Sequence, residues 1–234
     1  FIFSFPVPYY IYTGGGTINI NDRIEIETTK KTEGSLNFAY VRELHGNVAN
    51  FLLAHIIPKW DIEKEEEMKL SDEETMQDIE FRNRIYLENA NQSAIFLAYQ
   101  KAGKKVATKD AHFYVLYVEK QGENGLKVGD EILEVNGVKL TDLNYYTSLV
   151  EKANVGDSFN VLVERKGKEE EVVATVKDYD GKKLTGVTIS TIYEYETEPE
   201  LSLSFEKNES GPSGGLMLTL AIYDKLTEGD LTNG

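Results

Sequence analysis

The sequence predicts an α+β fold, on three observations. "TININDRIEI" near the start and "GVTISTIYEYE" near the end alternate apolar and polar residues with the period of strands. Between them, Met76, Ile79, Asn83, Tyr86, Leu87, Ala90, Ala94 and Leu97 recur at helical spacing. Residues 110–177 then break into short β-rich runs separated by Gly-containing turns.

In chain order, "FIFSFPVPYYIY" is uncharged and rich in Phe, Tyr and Pro. It is shorter than the roughly 20 apolar residues that cross a bilayer. Two readings stand for it: the exit of a membrane anchor, with Tyr9, Tyr10 and Tyr12 as an interfacial belt, or an ordinary buried strand. Gly14, Gly15 and Gly16 predict a flexible turn, and Ile18, Ile20, Ile24 and Ile26 a strand beyond it. "GSLNFAYV" reads as a strand, and "NVANFLLAHIIPKW" as a short helix ended by Pro58. Ser71 and Glu74 have the spacing of a capping box at the head of the long helix, which Gly103 stops. Its apolar face reads as core.

"HFYVLYVEK" is a strand, "GLKVGDEILEVNGVKL" a tight turn, a strand and an Asn-Gly turn, and "DLNYYTSLVEKA" a helix. "SFNVLVERKGKEEEVVATV" is a hairpin turning at Lys166, Gly167 and Lys168. The strands "GSLNFAYV" and "GVTISTIYEYE" are expected to share one sheet, because neither flank alone holds enough strands. Last, Leu216, Met217, Leu218, Leu220, Ala221 and Ile222 predict a helix buried on nearly every face.

Composition bounds the function. The 234 residues are 41% hydrophobic and 28% charged, enough for a sizeable core in one or two domains. Lys+Arg number 25 against 40 Asp+Glu, a net charge of -15 that repels a nucleic-acid backbone. Without cysteine there is no disulfide, thiolate zinc site or thiol nucleophile, and an oxidising exterior is tolerated. The three histidines, His45, His55 and His112, match no metal-binding or triad spacing, so no metal site is expected. No Walker A pattern is present, so no nucleotide is expected.

"LKVGDEILEVNG" resembles the most diagnostic stretch of PDZ domains, with Leu126, Gly129, Asp130, Ile132, Leu133, Val135, Asn136 and Gly137 on that family's pattern. The resemblance implies a PDZ domain over residues 106–182. It also implies an exposed sheet edge at Phe113, Tyr114, Val115, Leu116 and Tyr117 that accepts a peptide as an added strand. Tyr146, Leu149 and Val150 would lie on the helix beside that edge. Where many PDZ domains have a glycine-rich carboxylate loop, this chain reads "KDAHF", so peptide capture and a purely architectural role both stay open.

"SGPSGGLMLTLAIYDKL" places Ser213 between glycines ahead of an apolar helix. Ser213 could cap that helix; equally, a serine at a helix N-terminus faces amides able to hold an oxyanion. The longer stretch "LSLSFEKNESGPSGGLMLTLAIYDKLTEGDLTNG" resembles the signature region of Lon-type Ser/Lys peptidases, with Gly214 where alanine is common. Together with "FPVPYYIYTGGGTININDRIEI" and "NVANFLLAHIIP", the chain resembles the membrane-anchored, ATP-independent Lon-like serine proteases of Gram-positive bacteria that carry a PDZ domain.

That resemblance implies Ser213 as nucleophile and the amides of Ser213, Gly214 and Gly215 as oxyanion donors. It implies a general-base lysine beyond Gly234, since Lys225 lies twelve residues along the same helix, roughly 18 Å away; Lys207 is the other candidate. The implied organisation is the exit of an N-terminal membrane anchor at 1–12, a first part of the protease domain at 13–105, the PDZ domain at 106–182, and the start of the catalytic core at 183–234. The protease domain would be C-terminally incomplete in this chain, with the PDZ inserted between its parts. Implied partners are peptides or loosely folded segments, secreted signalling peptides among them, on the outer face of the cell membrane, without a cofactor. The alternative is a non-catalytic, membrane-anchored PDZ scaffold.

Overall fold

A computed structural model describes residues 2–27, 34–119, 125–206, 209–229 and 231. Strands β1 (Pro6–Asn19) and β2 (Ile24–Ile26) lead to β3 (Asn37–Asn47), helix α1 (Val48–Ala54), β4 (Asp61–Lys64), helix α2 (Glu65–Met68) and the long helix α3 (Met76–Lys101). β3, β1 and β4 form an antiparallel sheet in that order. The three glycines do not make a turn; they lie inside β1, where the β3 register skips Gly15 between Gly14↔Val41 and Gly16↔Tyr40. Gly15 is the extra residue of a bulge, and a Cβ there would stand 2.0 Å from the Tyr40 carbonyl oxygen.

The long helix starts five residues later than Ser71. Thr75 is its cap, accepting from the Asp78 amide while the Asp78 carboxylate accepts from the Thr75 amide. Glu74 is instead drawn into the interior, where it pairs with Arg82 and accepts from the Leu70 amide at 2.7 Å. The buried face also differs from the expected one. Tyr86 and Leu97 are exposed, whereas Ile79, Ile85, Ala94, Ile95, Ala98 and Tyr99 are buried. α3 has two partners along its length, so no single stripe describes it. Ile85 and Phe81 pack on Leu116, Tyr114 and Ile192, and the C-terminal half packs on the last helix.

After α3 come β5 (Lys105–Val118), β6 (Glu131–Val135), β7 (Val138–Lys139), α4 (Leu143–Lys152), β8 (Ser158–Arg165), β9 (Lys168–Thr175), β10 (Lys177–Tyr179), β11 (Lys182–Leu184), β12 (Val187–Glu198), β13 (Leu201–Leu203) and α5 (Gly215–Leu226). Six of these strands make one sheet in the order β12-β5-β6-β8-β9, with β7 paired to β6. Both hairpin turns take the positive φ that a tight two-residue turn requires, at Asn136 and Gly137 and at Lys166 and Gly167. Asp130 explains the Gly-Asp pair: its carboxylate accepts from the Lys127 amide and from both Nε and Nη2 of Arg165, tying the turn to β8.

Side chains alternate across β5. Phe113 and Val115 enter a core with Ile132, Val161 and α4, while Tyr114 and Leu116 face α3. A second core joins Ile20, Ile24, Ala94, Ala98 and Tyr99 to Leu218 and Ile222 of α5. Each such fully buried aliphatic side chain contributes about 1.5–3 kcal/mol. α5 is not buried all round: Leu216 is 71% exposed and Leu220 36%, while Leu218 and Ile222 on the opposite side enter the core with α3.

The two flanking strands do not share a sheet. β3 pairs with β1, and β12 pairs with β5 along its whole length. Leu36 and Phe38 nonetheless pack into the same core as Leu201, Leu203 and Phe205, with the Phe38 and Phe205 rings 6.3 Å apart. The boundary expected after residue 182 falls ahead of β12, the strand that completes the six-stranded sheet.

Candidate functional site

β12 is the terminal strand of its sheet, and among the described residues no strand pairs with its outer edge. The direction of its backbone groups follows from β5. The Val115 amide donates to the Asp130 carbonyl, and its carbonyl accepts from the Gly129 amide, both at 2.9 Å on the β6 side. Val115 and its opposite number Ile189 are therefore a non-hydrogen-bonded pair, and the N–H and C=O of Ile189 face away from the sheet. Thr191 follows by the same alternation. Asn89 of α3 reaches its carbonyl at 3.4 Å, which leaves the stretch from Val187 to Ile189 open for pairing.

Helix α4 is held alongside the start of this edge. The Tyr146 hydroxyl donates to Thr185 Oγ1 at 2.9 Å, and Lys183 Nζ donates to the carbonyls of Glu151 and Ala153 at 2.7 Å. Burial pushes the Tyr146 phenol up to about 12, so it remains a donor. Gly186, at φ +71°, makes the entry into β12; a Cβ there would also strike the Tyr179 hydroxyl. A strand edge, a flanking helix and a glycine entry are the parts needed to add a peptide strand.

This edge is not the one read from the sequence. Phe113, Tyr114, Val115, Leu116 and Tyr117 lie on β5, an interior strand covered by β12 on one side and β6 on the other. Phe113, Val115 and Leu116 are buried. Tyr146 and Val150 are buried in the core beneath α4, and Leu149 packs against it. The missed residues, Gly186, Val187 and Ile189, had a local signal in "TGVTIS", a glycine ahead of alternating β-branched residues.

His112 bridges three strands on the other face of the sheet. Its Nδ1 meets Glu131 Oε1 at 2.6 Å and its Nε2 lies 3.6 Å from Glu194 Oε1. Burial alone pulls the imidazole down, but the Glu131 hydrogen bond with the charges of Glu131, Glu194 and Asp110 carries it above its ordinary value.

Ser213 sits in a 3-10 turn (Pro212–Gly214) that leads directly into α5, and its exposed side chain has no hydrogen-bond partner among the described residues. Gly211, at φ +97°, sets the turn. The Gly215 amide, expected as an oxyanion donor, donates to the Pro212 carbonyl instead. The Gly214 amide lies inside the same 3-10 turn, whose i→i+3 bonding uses it as well, so the Ser213 amide is the remaining candidate. Gly214 is crowded, since a Cβ there would lie 2.4 Å from Phe38 Cε1. Arg23 pairs with Glu209 and lies 3.9 Å from Glu206, fastening the approach to this turn. Lys207 falls outside the described residues. A cleft of about 410 Å³, lined by Asn91 of α3, Tyr195 of β12, Leu201 of β13, Phe205 and Glu209, borders the same approach.

Comparison with known proteins matches the PDZ domain family model over residues 80–176. No curated protein matches the chain. Among solved structures, the PDZ domain of the SdrC-like protein from Listeria monocytogenes is 22% identical, covering 36% of this chain and 92% of that one with a TM-score of 0.30. No helix among the described residues is long and apolar enough to cross a membrane. The chain contains a PDZ domain.

Proposed function

We propose that this protein captures extended peptides on the outer edge of β12, beside α4, and presents them to Ser213 for hydrolysis. The observation that carries the capture step is the unpaired outward edge at Val187 to Ile189, next to a helix tethered through Tyr146 and Lys183. Backbone pairing supplies affinity and side-chain contacts on α4 supply preference.

For hydrolysis, the reading rests on the Lon-like resemblance at Gly211, Pro212, Ser213 and Gly215, supported by the exposed serine at the head of α5. Ser213 would attack the scissile carbonyl as a lysine beyond residue 234 takes its proton. The Ser213 amide would meet the oxyanion and the leaving amine would take the proton from the lysine. Water would then attack the acyl-enzyme, giving a proton to the lysine that returns to the Ser213 oxygen as the carboxylic acid leaves. The reading is ATP-independent and needs no cofactor. It places the protein outside the cytoplasm, held by an anchor ahead of residue 1.

The two steps separate experimentally. A phage-displayed peptide library selected on the 234-residue chain, followed by Ile189→Pro, tests capture; selection unaffected by that change sinks the β12 edge. Peptide cleavage by a chain extended past residue 234 is expected to vanish on Ser213→Ala. Cleavage that survives it removes Ser213 from the chemistry, and a protein that binds without cutting is then a PDZ scaffold.

A further inference from the structure

We propose that the cleft between α3, β12 and β13 holds one stretch of a peptide substrate, on the reading that Ser213 acts on peptides. Asn91 and the edge of β13 pair with the peptide main chain, and an apolar side chain sits between Leu87, Ile95 and Phe205. The volume of about 410 Å³ is that of a ligand site. The serine is close by: a Cβ on Gly215 would lie 3.6 Å from that of Ala90, so the residue before Asn91 packs at the head of α5.

Asn91 carries the assignment. Its polar neighbours on α3 are satisfied: Asn89 reaches the Thr191 carbonyl, Gln92 donates to Glu88 and Ser93 to Asn89. Asn91 is only 5% exposed, lines the cleft, and has no hydrogen-bond partner among the described residues. A buried amide left unpaired is destabilising. Its one acceptor and two donors match the N–H and C=O of a peptide unit.

β13 supplies a second point of pairing. The Ser204 amide donates to the Arg23 carbonyl at 3.0 Å, so Leu203, opposite Ile24, is a non-hydrogen-bonded position whose N–H and C=O turn away from β2. Among the described residues no strand pairs with that side of β13. Leu201, Ser202 and Leu203 all border the cleft, although neighbouring side chains of a strand point to opposite faces, so the cleft meets β13 at its edge. Charge excludes an anionic occupant. Four carboxylates border the cleft against Arg84 and Lys109; Lys109 is paired with Glu194 at 3.3 Å, and the Arg84 guanidinium lies over the Phe81 ring.

The isotopically labelled 234-residue chain is titrated, with NMR detection, with the blocked pentapeptide Ala-Ala-Leu-Ala-Ala and with its counterpart carrying Asp at the centre. The expected result is that the Leu peptide shifts the side-chain amide of Asn91 and the backbone amide of Leu203, and that the Asp peptide shifts neither. Asn91→Leu is expected to weaken binding about tenfold, the worth of the amide's hydrogen bonds. Its urea midpoint is expected to hold or rise, because the variant no longer buries an unpaired amide. Signals of Asn91 and Leu203 that stay still at millimolar peptide, equal shifts with the Asp peptide, or unchanged binding by Asn91→Leu overturn the proposal. A midpoint that falls makes Asn91 structural and overturns it equally. Shifts confined to Val187 and Ile189 remove the cleft and leave capture on β12 standing; shifts at Asn91 and Leu203 with Ile189 unmoved support the cleft and remove that capture. Binding in the cleft without Ser213-dependent cleavage in the extended chain sinks the hydrolysis reading alone.

Discussion

Tyr114 on β5 stands directly opposite Ser190 on β12, one position before the Val115 and Ile189 pair whose backbone groups turn outward. Adjacent positions on the same ribbon thus have opposite roles: Tyr114 binds the sheet together and Ile189 is free to bind something else.

Proline substitution should separate these roles. Tyr114→Pro removes an interior ladder donor and strands its acceptor on β12, an expected loss of about 1–3 kcal/mol in urea unfolding. Ile189→Pro sits at an edge whose N–H meets no strand among the described residues, where proline is tolerated. Its expected effect is a small change in stability with peptide affinity down about fivefold, the worth of one hydrogen bond. Fluorescence anisotropy with a library-derived peptide, alongside unfolding curves, checks both. Equal loss of stability in the two variants would show that β12 pairs on both sides.

His112 should make stability depend on pH. Its folded value lies above the ordinary imidazole value near 6.5. The contribution is therefore present in full below that unfolded value and is lost as pH rises through the higher folded one. Thermal unfolding scanned upward from pH 5 is expected to show stability falling across this window, and His112→Gln to flatten the fall. A parent curve that rises with pH there, or a variant curve that keeps the fall, counts against the bridge between Glu131 and Glu194.

Gly14 and Gly15 should respond oppositely to alanine. A Cβ on Gly14 meets nothing within 4 Å, and alanine lowers the entropy of the unfolded chain, so Gly14→Ala is neutral or stabilising by a few tenths to about 1 kcal/mol. At Gly15 the obstacle is the Tyr40 backbone, which no rotamer change removes, and the expected loss is about 1–3 kcal/mol. Chemical denaturation of the two variants measures the contrast. Similar values would mean that the bulge is not at Gly15.

What the sequence determined by itself was what neighbouring residues decide. The positive-φ turns at Asn136 and Gly137 and at Lys166 and Gly167, the helix after Asp142, the Gly-Asp turn at 129–130 and the run of β12 are legible because propensity, turn chemistry and side-chain period act within a few residues. The helix cap was misread for a tertiary reason: Glu74 has a better partner in Arg82 than in the Ser71 amide. The glycines of β1 look the same in sequence whether they make a turn or a bulge, and only the approach of Tyr40 distinguishes the two.

The site itself depended on long-range pairing. Val115 and Ile189 are 74 positions apart, and the pattern of each strand is equally satisfied on an edge or in the middle of a sheet. Whether a strand can accept a peptide depends on which neighbour it already has, and that was decided when β12 covered β5 and left its own outer edge without a strand partner among the described residues. The buried faces of α3 and α5 were settled in the same way, by which elements came to lie against them.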